Sequence, residues 1–272
     1  MSTVDPAAFR QFEHVGWQEV AAKYHSGFAA VTTQSTEALL DAARIGPQTR
    51  VLDVACGPGY ITAAAASRCA IATGIDFSSE MIAEARTRYP GLDFREGDAE
   101  QLAFGDAEFA AVVSNFGMLH LARPELAIQE ARRVLRPGGR LAFTVWDTPE
   151  KAIAFGIVIN AIQKYGDLNV PIPAGPPFFR FSDPQECRRV LSAAGFTDVA
   201  VIQVAQTWRL DSADALFEVM YHGSVRNAAL LRAQKADVLA AIRSEIREGV
   251  EKHHCELAMP AVLATATADA RY

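Results

Sequence analysis

Val51-Leu52-Asp53-Val54-Ala55-Cys56-Gly57-Pro58-Gly59 reads as an apolar strand that enters a loop of small residues and turns into a helix. Gly57 and Gly59 permit positive φ and a close approach of backbone to a ligand, and Ala55 is the next smallest choice. Two further carboxylates, Asp76 and Asp98, stand where the next two strands should finish. Three acids at three strand ends suit a ligand that carries an amine, a ribose diol and an adenine. They suit a pyrophosphate badly, because Asp53 sits just ahead of the glycines where a diphosphate would lie. Taken alone, the loop could also be a tight turn that binds nothing.

Working outward, an alternating rhythm appears. Residues 6–44 are predicted helical, with Phe9, Phe12, Trp17, Val20, Ala21 and Tyr24 recurring at helical spacing. Strands are expected at Arg50–Ala55, Ala70–Asp76, Leu92–Glu96, Phe109–Asn115 and Arg140–Trp146. Helices are expected between them at Tyr60–Arg68, Ser79–Tyr89 and Pro124–Leu135. The last is the clearest: Pro124 fits its first turn, Ala127, Ile128, Ala131, Val134 and Leu135 make one face, and Pro137-Gly138-Gly139 should end it. This alternation predicts a parallel sheet covered on both faces, with ligands beyond the carboxyl ends of its strands. Asp53, Asp76, Asp98 and Asn115 all fall at or near such ends.

After Trp146 the rhythm breaks. A helix is expected at Ala152–Lys164, then a Pro/Gly-rich loop at Val170–Arg180, a helix at Pro184–Ala194 and a strand at Val199–Thr207. Residues 212–252 read as helical, with a stripe of Val238, Leu239, Ile242, Ile246 and Val250, and Leu257–Thr265 reads as a closing strand. The expected organisation is one domain over residues 1–272. Residues 1–45 form N-terminal helices, 46–146 the ligand-binding core, 147–181 and 212–252 a cap, and 182–211 with 253–272 complete the sheet.

Composition narrows the class. The 272 residues are 50% apolar and 21% charged, and 26 basic against 32 acidic residues leave a net charge of −6. No Lys/Arg run points to nucleic acid or a membrane surface, and no apolar stretch is long enough to span a bilayer. The N-terminal residues lack the pattern of a signal peptide, and Cys56, Cys69, Cys187 and Cys255 are too scattered for a disulfide framework or zinc site. The expectation is a cytoplasmic protein, monomer or homodimer, that acts on a small molecule.

Asp76 could grip two ribose hydroxyls or cap the helix that follows, although Ser78 or Ser79 already supplies a cap. Asp98 could accept from an adenine amino group or sit in a solvated acidic loop. Phe77 and Met81 could pack on the adenine faces or belong to the core. The set VLDVACGPG, GIDFS, EGDAE and RVLRPGGRLAF resembles the class I S-adenosylmethionine-dependent methyltransferases. Within them it is similar to the branch of ubiquinone/menaquinone-biosynthesis C-methyltransferases and many small-molecule enzymes. The likeness covers residues 15–146 well and 180–268 loosely. It implies a Rossmann-like, doubly wound sheet of seven strands, mostly parallel with an antiparallel last strand, plus a helical cap. It also implies S-adenosylmethionine as cofactor, leaving as S-adenosylhomocysteine. Asp53, Gly57 and Gly59 would hold the methionine part, Asp76 the ribose, and Asp98 with Ala99 the adenine. Asn115 would lie beside the methionine moiety, and Tyr24 and Thr33 would cover its carboxylate. Ala55 replaces the usual first glycine.

Methyl transfer from a sulfonium needs alignment above all, and a base only where the acceptor must lose a proton. His120, just past the fourth strand, is the candidate base; it could equally orient a loop. Tyr221-His222 is a weaker candidate, and His253-His254-Cys255 lacks a further partner at metal-ligand spacing. Trp17, Trp146, Phe178, Phe179 and Tyr221 are candidate walls of an apolar acceptor pocket, or ordinary core. A nicotinamide dehydrogenase is disfavoured because Gly57-Pro58-Gly59-Tyr60-Ile61-Thr62 lacks a third glycine. A cofactor-binding protein without methyl transfer stays open.

Overall fold

The computed structural model describes residues 5–269. Asp5 caps α1 (Pro6–Tyr24) by accepting from the Ala7 and Ala8 amides. Two short helices, α2 (Ala29–Thr32) and α3 (Thr36–Ala42), lead into β1 (Arg50–Val54). The expected alternation follows: α4 (Tyr60–Ser67), β2 (Ile71–Asp76), α5 (Ser79–Arg88), β3 (Asp93–Glu96), β4 (Phe109–Asn115), α6 (Pro124–Val134) and β5 (Leu135–Trp146). Beyond it lie α7 (Ile153–Tyr165), α8 (Pro184–Ala193), β6 (Phe196–Val204), β7 (Thr207–Arg209), α9 (Ala215–His222), α10 (Arg226–Arg232), α11 (Ala236–Lys252), β8 (Glu256–Ala258) and β9 (Ala261–Ala268).

Seven strands form one sheet in the order β3-β2-β1-β4-β5-β9-β6. The first five strands in chain order pair in parallel, and β9 runs antiparallel to both its neighbours, β5 and β6. The chain moves outward from β1 to β3 and returns on the other side of β1 with β4. That reversal is the switch point, so a crevice opens beyond the carboxyl ends of β1 and β4.

Side-chain alternation decides what each face meets. Val51, Ala111 and Val113 pack with Leu39, Leu40, Ile61 and Ala65 of α3 and α4. Leu52, Val54 and Val112 share the other core with Ala127, Ile128, Ala131 and Val134 of α6. Each fully buried Leu, Ile, Val or Phe contributes about 1.5–3 kcal/mol, against at most about 1 kcal/mol for an exposed ion pair. The apolar stripes therefore hold the layers. Asp53 shares a face with Val51, which turns its carboxylate toward α4.

Several boundaries differ from expectation. α6 stops at Val134, and Pro137-Gly138-Gly139 lies inside β5, where register jumps from Phe109–Leu135 to Ala111–Arg140. The extra residues bulge out, so the missing Pro137 amide breaks no ladder bond. β6 begins at Phe196 and ends at Val204, while Thr207 enters a separate ribbon of β7 and β8. The expected strand Leu257–Thr265 is divided at Pro260: Leu257 belongs to β8, and the sheet strand starts at Ala261. Residues 212–252 form three helices, and Ile242, Ile246 and Val250 of the expected stripe are fully buried.

Candidate active site

A cavity of about 1310 Å³, counting its open mouth, sits at the switch point. Its floor is the loop after β1. Ala55, Gly57 and Gly59 all hold positive φ, at 56°, 51° and 86°. Glycine's usual place is thus occupied by alanine in a left-handed conformation that costs on the order of 1 kcal/mol. The methyl is accommodated by the residue opposite. A Cβ placed on Gly117 would lie 2.6 Å from Ala55 Cβ, so the contact works only because position 117 has none. A Cβ on Gly57 would meet no atom within 4 Å, which leaves room for a ligand against that backbone.

The carboxylates differ in how they are used. Asp53 is 1% exposed; its Oδ2 accepts from Thr62 Oγ1 at 2.7 Å, and its Oδ1 has no partner. Burial pushes its pKa up to about 7, the Thr62 hydrogen bonds oppose this, and the Asp76 charge adds to it. Asp76 accepts from the Gly57 amide on Oδ2 and from the Ser78 amide on Oδ1, both at 2.9 Å. Burial raises its pKa to about 6 despite those amides. Asp76, not Asp53, therefore holds a loop amide in place, while Asp53 is engaged by the Thr62 hydroxyl of α4. Ser78 is the cap of α5, accepting from the Met81 amide. Asp98 accepts from the Glu100 amide at 2.8 Å and forms an ion pair with Arg10. Phe77, Met81 and Ala99 line the cavity beside it.

Tyr24 reaches the cavity from α1 and donates to Thr32 Oγ1 at 3.2 Å; burial pushes its phenol up to about 12. Thr32 lines the cavity and Thr33 does not: the Thr33 hydroxyl donates back to the Ala29 carbonyl at 2.7 Å. Asn115 lines the cavity, but its amide is engaged. Its Nδ2 donates to the Thr32 carbonyl, and its Oδ1 accepts from Ser35 and Thr144. It ties the N-terminal helices to the end of β4.

On the other side, Trp17, His120, Trp146 and Phe178 line the same cavity. Phe179 and Tyr221 do not. Phe179 packs behind Phe178 at 5.0 Å between ring centroids, and Tyr221 stacks on Phe217 at 5.4 Å. His222 pairs with Glu218, and no group of residues suited to a metal ion occurs among the described residues. Among the charged residues that sequence reasoning missed, Arg10 and Arg226 line the cavity and Glu13 is buried behind its wall. A signal existed for one of them. Glu13 stands between Phe9 and Trp17 at four-residue steps, a charge inside an apolar helical stripe.

Residues 52–143 match a family described as a methyltransferase domain. A demethylmenaquinone methyltransferase of Beutenbergia cavernae is 41% identical over 112 residues, which are 41% of this chain and 47% of that protein. One from Clavibacter sepedonicus is 33% identical over 168 residues, 55% of this chain and 66% of that protein. Among solved structures, the Haloferax volcanii complex between the Trm112 methyltransferase activator and a methyltransferase offers a chain of the same fold. It has a TM-score of 0.61 and 21% identity, and the match covers 96% of this chain and 97% of that one. Over its core the chain is similar to the S-adenosylmethionine-dependent methyltransferases. It spans about half the length of the first of those relatives, at 47%. The family match runs from within β1 to within β5. α1 and everything after β5 lie outside it. The match therefore speaks to the floor of the cavity and not to the wall that holds Glu13, Phe178 and Arg226.

Proposed function

We propose that the protein transfers a methyl group from S-adenosylmethionine to a small, aromatic or partly apolar metabolite by in-line displacement. The observation that carries this reading is Asp53: a cavity-lining carboxylate with one buried oxygen left without a partner. Such an oxygen is stabilised by a ligand cation, and the cofactor's ammonium supplies one. The open face of Gly57 admits the chain that carries it, Asp76 has lone pairs left for two ribose hydroxyls, and Asp98 with Ala99 faces the adenine position. Phe77 and Met81 give it apolar cover, while Tyr24 and Thr32 stand toward the carboxylate. When bound, the cofactor presents an electrophilic methyl on a positive sulfur and leaves as S-adenosylhomocysteine.

The chain's own task is to orient the acceptor, exclude water and take a proton where one must leave. Trp17, Trp146 and Phe178 form flat walls for a planar acceptor, and His120 is the base. A cytoplasmic protein acting on a small molecule, with no nucleic acid partner, as monomer or homodimer, fits four free cysteines and a net charge of −6. Among the described residues no helix is long and apolar enough to cross a membrane.

Calorimetry with S-adenosylhomocysteine tests the reading. Binding is expected, and none at high micromolar ligand would sink it. Asp76→Ala should weaken that binding by roughly tenfold or more, since a charge-assisted contact and the anchor of Gly57 go together; unchanged affinity would remove Asp76 from the ribose.

A further inference from the structure

Glu13 is fully buried, and both its oxygens are occupied. Oε1 accepts from Arg226 Nε at 2.8 Å, while Oε2 accepts from Trp17 Nε1 at 3.1 Å and meets His120 Nδ1 at 2.9 Å. Burial by itself would raise this carboxyl, yet His120 and then Arg226 outweigh it and hold it below the usual carboxylate range. An ionised carboxylate can only accept, so the proton of a neutral His120 sits on Nδ1 and its Nε2 is left as a lone-pair acceptor. The ring is braced edge-on by Trp17 at 4.7 Å and by Phe178 at 6.0 Å, and it lines the cavity. The charged groups around it are Glu13 from α1, Arg226 from α10, whose guanidinium lies over Phe178, and Asp76 from the end of β2. Arg10 and Arg226 are the cations lining the cavity among the described residues, and each is already paired, with Asp98 and Glu13 respectively.

We propose that Glu13 is a positioning residue that sets the tautomer of His120, leaving Nε2 free to take one proton from a neutral acceptor bearing an O–H or N–H. This rests on the methyl-transfer reading above. The acceptor's proton passes to Nε2, and the electron pair left on its oxygen or nitrogen forms the new bond to the methyl carbon. The carbon–sulfur bond breaks with its pair staying on sulfur. His120 becomes an imidazolium whose charge faces the Glu13 carboxylate, and Glu13 itself stays ionised. Arg226 balances that carboxylate while His120 is neutral. With both cavity cations neutralised, nothing stands ready for a carboxylate or phosphate on the acceptor, which selects an uncharged one.

Nitrogen NMR of the full chain labelled in histidine, with S-adenosylhomocysteine added, tests the device without an acceptor. His120 should show Nδ1 protonated and Nε2 bare; a proton on Nε2 overturns the proposal. In Glu13→Gln, the charged Arg226 donor outcompetes the Trp17 N–H for the amide oxygen, so the NH2 turns toward Nδ1 and the Trp17 bond is lost. The tautomer should reverse while S-adenosylhomocysteine affinity stays within about threefold. An unchanged tautomer overturns the positioning role. If that variant does not fold, the unmutated spectrum decides alone. Labelled-methyl transfer into small-molecule extracts should place label in uncharged compounds, and label confined to carboxylates or phosphates refutes the acceptor class. Failure of S-adenosylhomocysteine to bind, or no label in any compound, would bring down the methyl-transfer reading itself. Binding with the wrong tautomer brings down this inference alone.

Discussion

The two halves of the cavity treat buried polar groups in opposite ways. On the side of β1 and β2, Asp53 keeps an oxygen with no partner, and two adjacent carboxyls are raised to about 7 and about 6 by burial. On the side of α1 and α10, Glu13, Trp17, His120 and Arg226 satisfy one another. The open half is left with unfilled hydrogen-bonding capacity, which on the proposed reading the cofactor's cation fills. The closed half is complete already and presents the edge of His120 and flat apolar walls. An unfilled hydrogen-bonding capacity marks where a charged ligand binds; a filled one marks where geometry does the selecting.

The largest test of this contrast is Glu13→Ala. It strands Arg226, only 16% exposed, so unfolding in urea should show a loss of about 3–5 kcal/mol. A loss below about 1 kcal/mol would mean that water reaches the pair and the half is not closed. The open half is probed by pH. Folding raises Asp53 from 3.8 to about 7, so its protonated form favours the folded chain; that contribution is complete below pH 4 and is lost as pH rises through 7. A bound ammonium needs the ionised form instead. Affinity for S-adenosylhomocysteine should therefore rise roughly tenfold between pH 6 and pH 8, with proton release on binding, and the thermal stabilisation it gives should widen over the same range. A flat profile would remove Asp53 as the counter-charge. The smallest effect belongs to the seam between the halves. Arg10 and Asp98 are 39% and 28% exposed, so Arg10→Ala should change stability by less than about 1 kcal/mol and leave S-adenosylhomocysteine affinity within about threefold. A tenfold fall in calorimetric affinity would make Arg10 part of the cofactor site.

The same contrast explains what could be read from the chain. Asp53, Asp76 and the glycine loop belong to contiguous strand-loop-helix units, where local apolar pattern and turn residues determine the geometry. The seven-stranded sheet and its antiparallel strand were legible through the family resemblance. The closed half was not, because Glu13 and Arg226 are 213 residues apart and meet only through packing of the cap. Thr33 was expected at the cavity and Thr32 is found there, since the short helix and 3-10 turn around them rotate the chain by a single residue. Phe179 and Tyr221 are aromatic like Phe178, and composition cannot say which ring of a cluster faces inward.

β9 lies between β5 and β6, although it follows both in the chain by many residues. A ribosome therefore releases residues 50–146, with the open half of the cavity, long before the strand that covers the edge of β5. Until residues 261–268 emerge, β5 and β6 cannot be joined, and each shows an unpaired edge to solvent or to another nascent chain. The sheet's weakest moment is thus set by the order of synthesis, and its last strand closes it like a keystone.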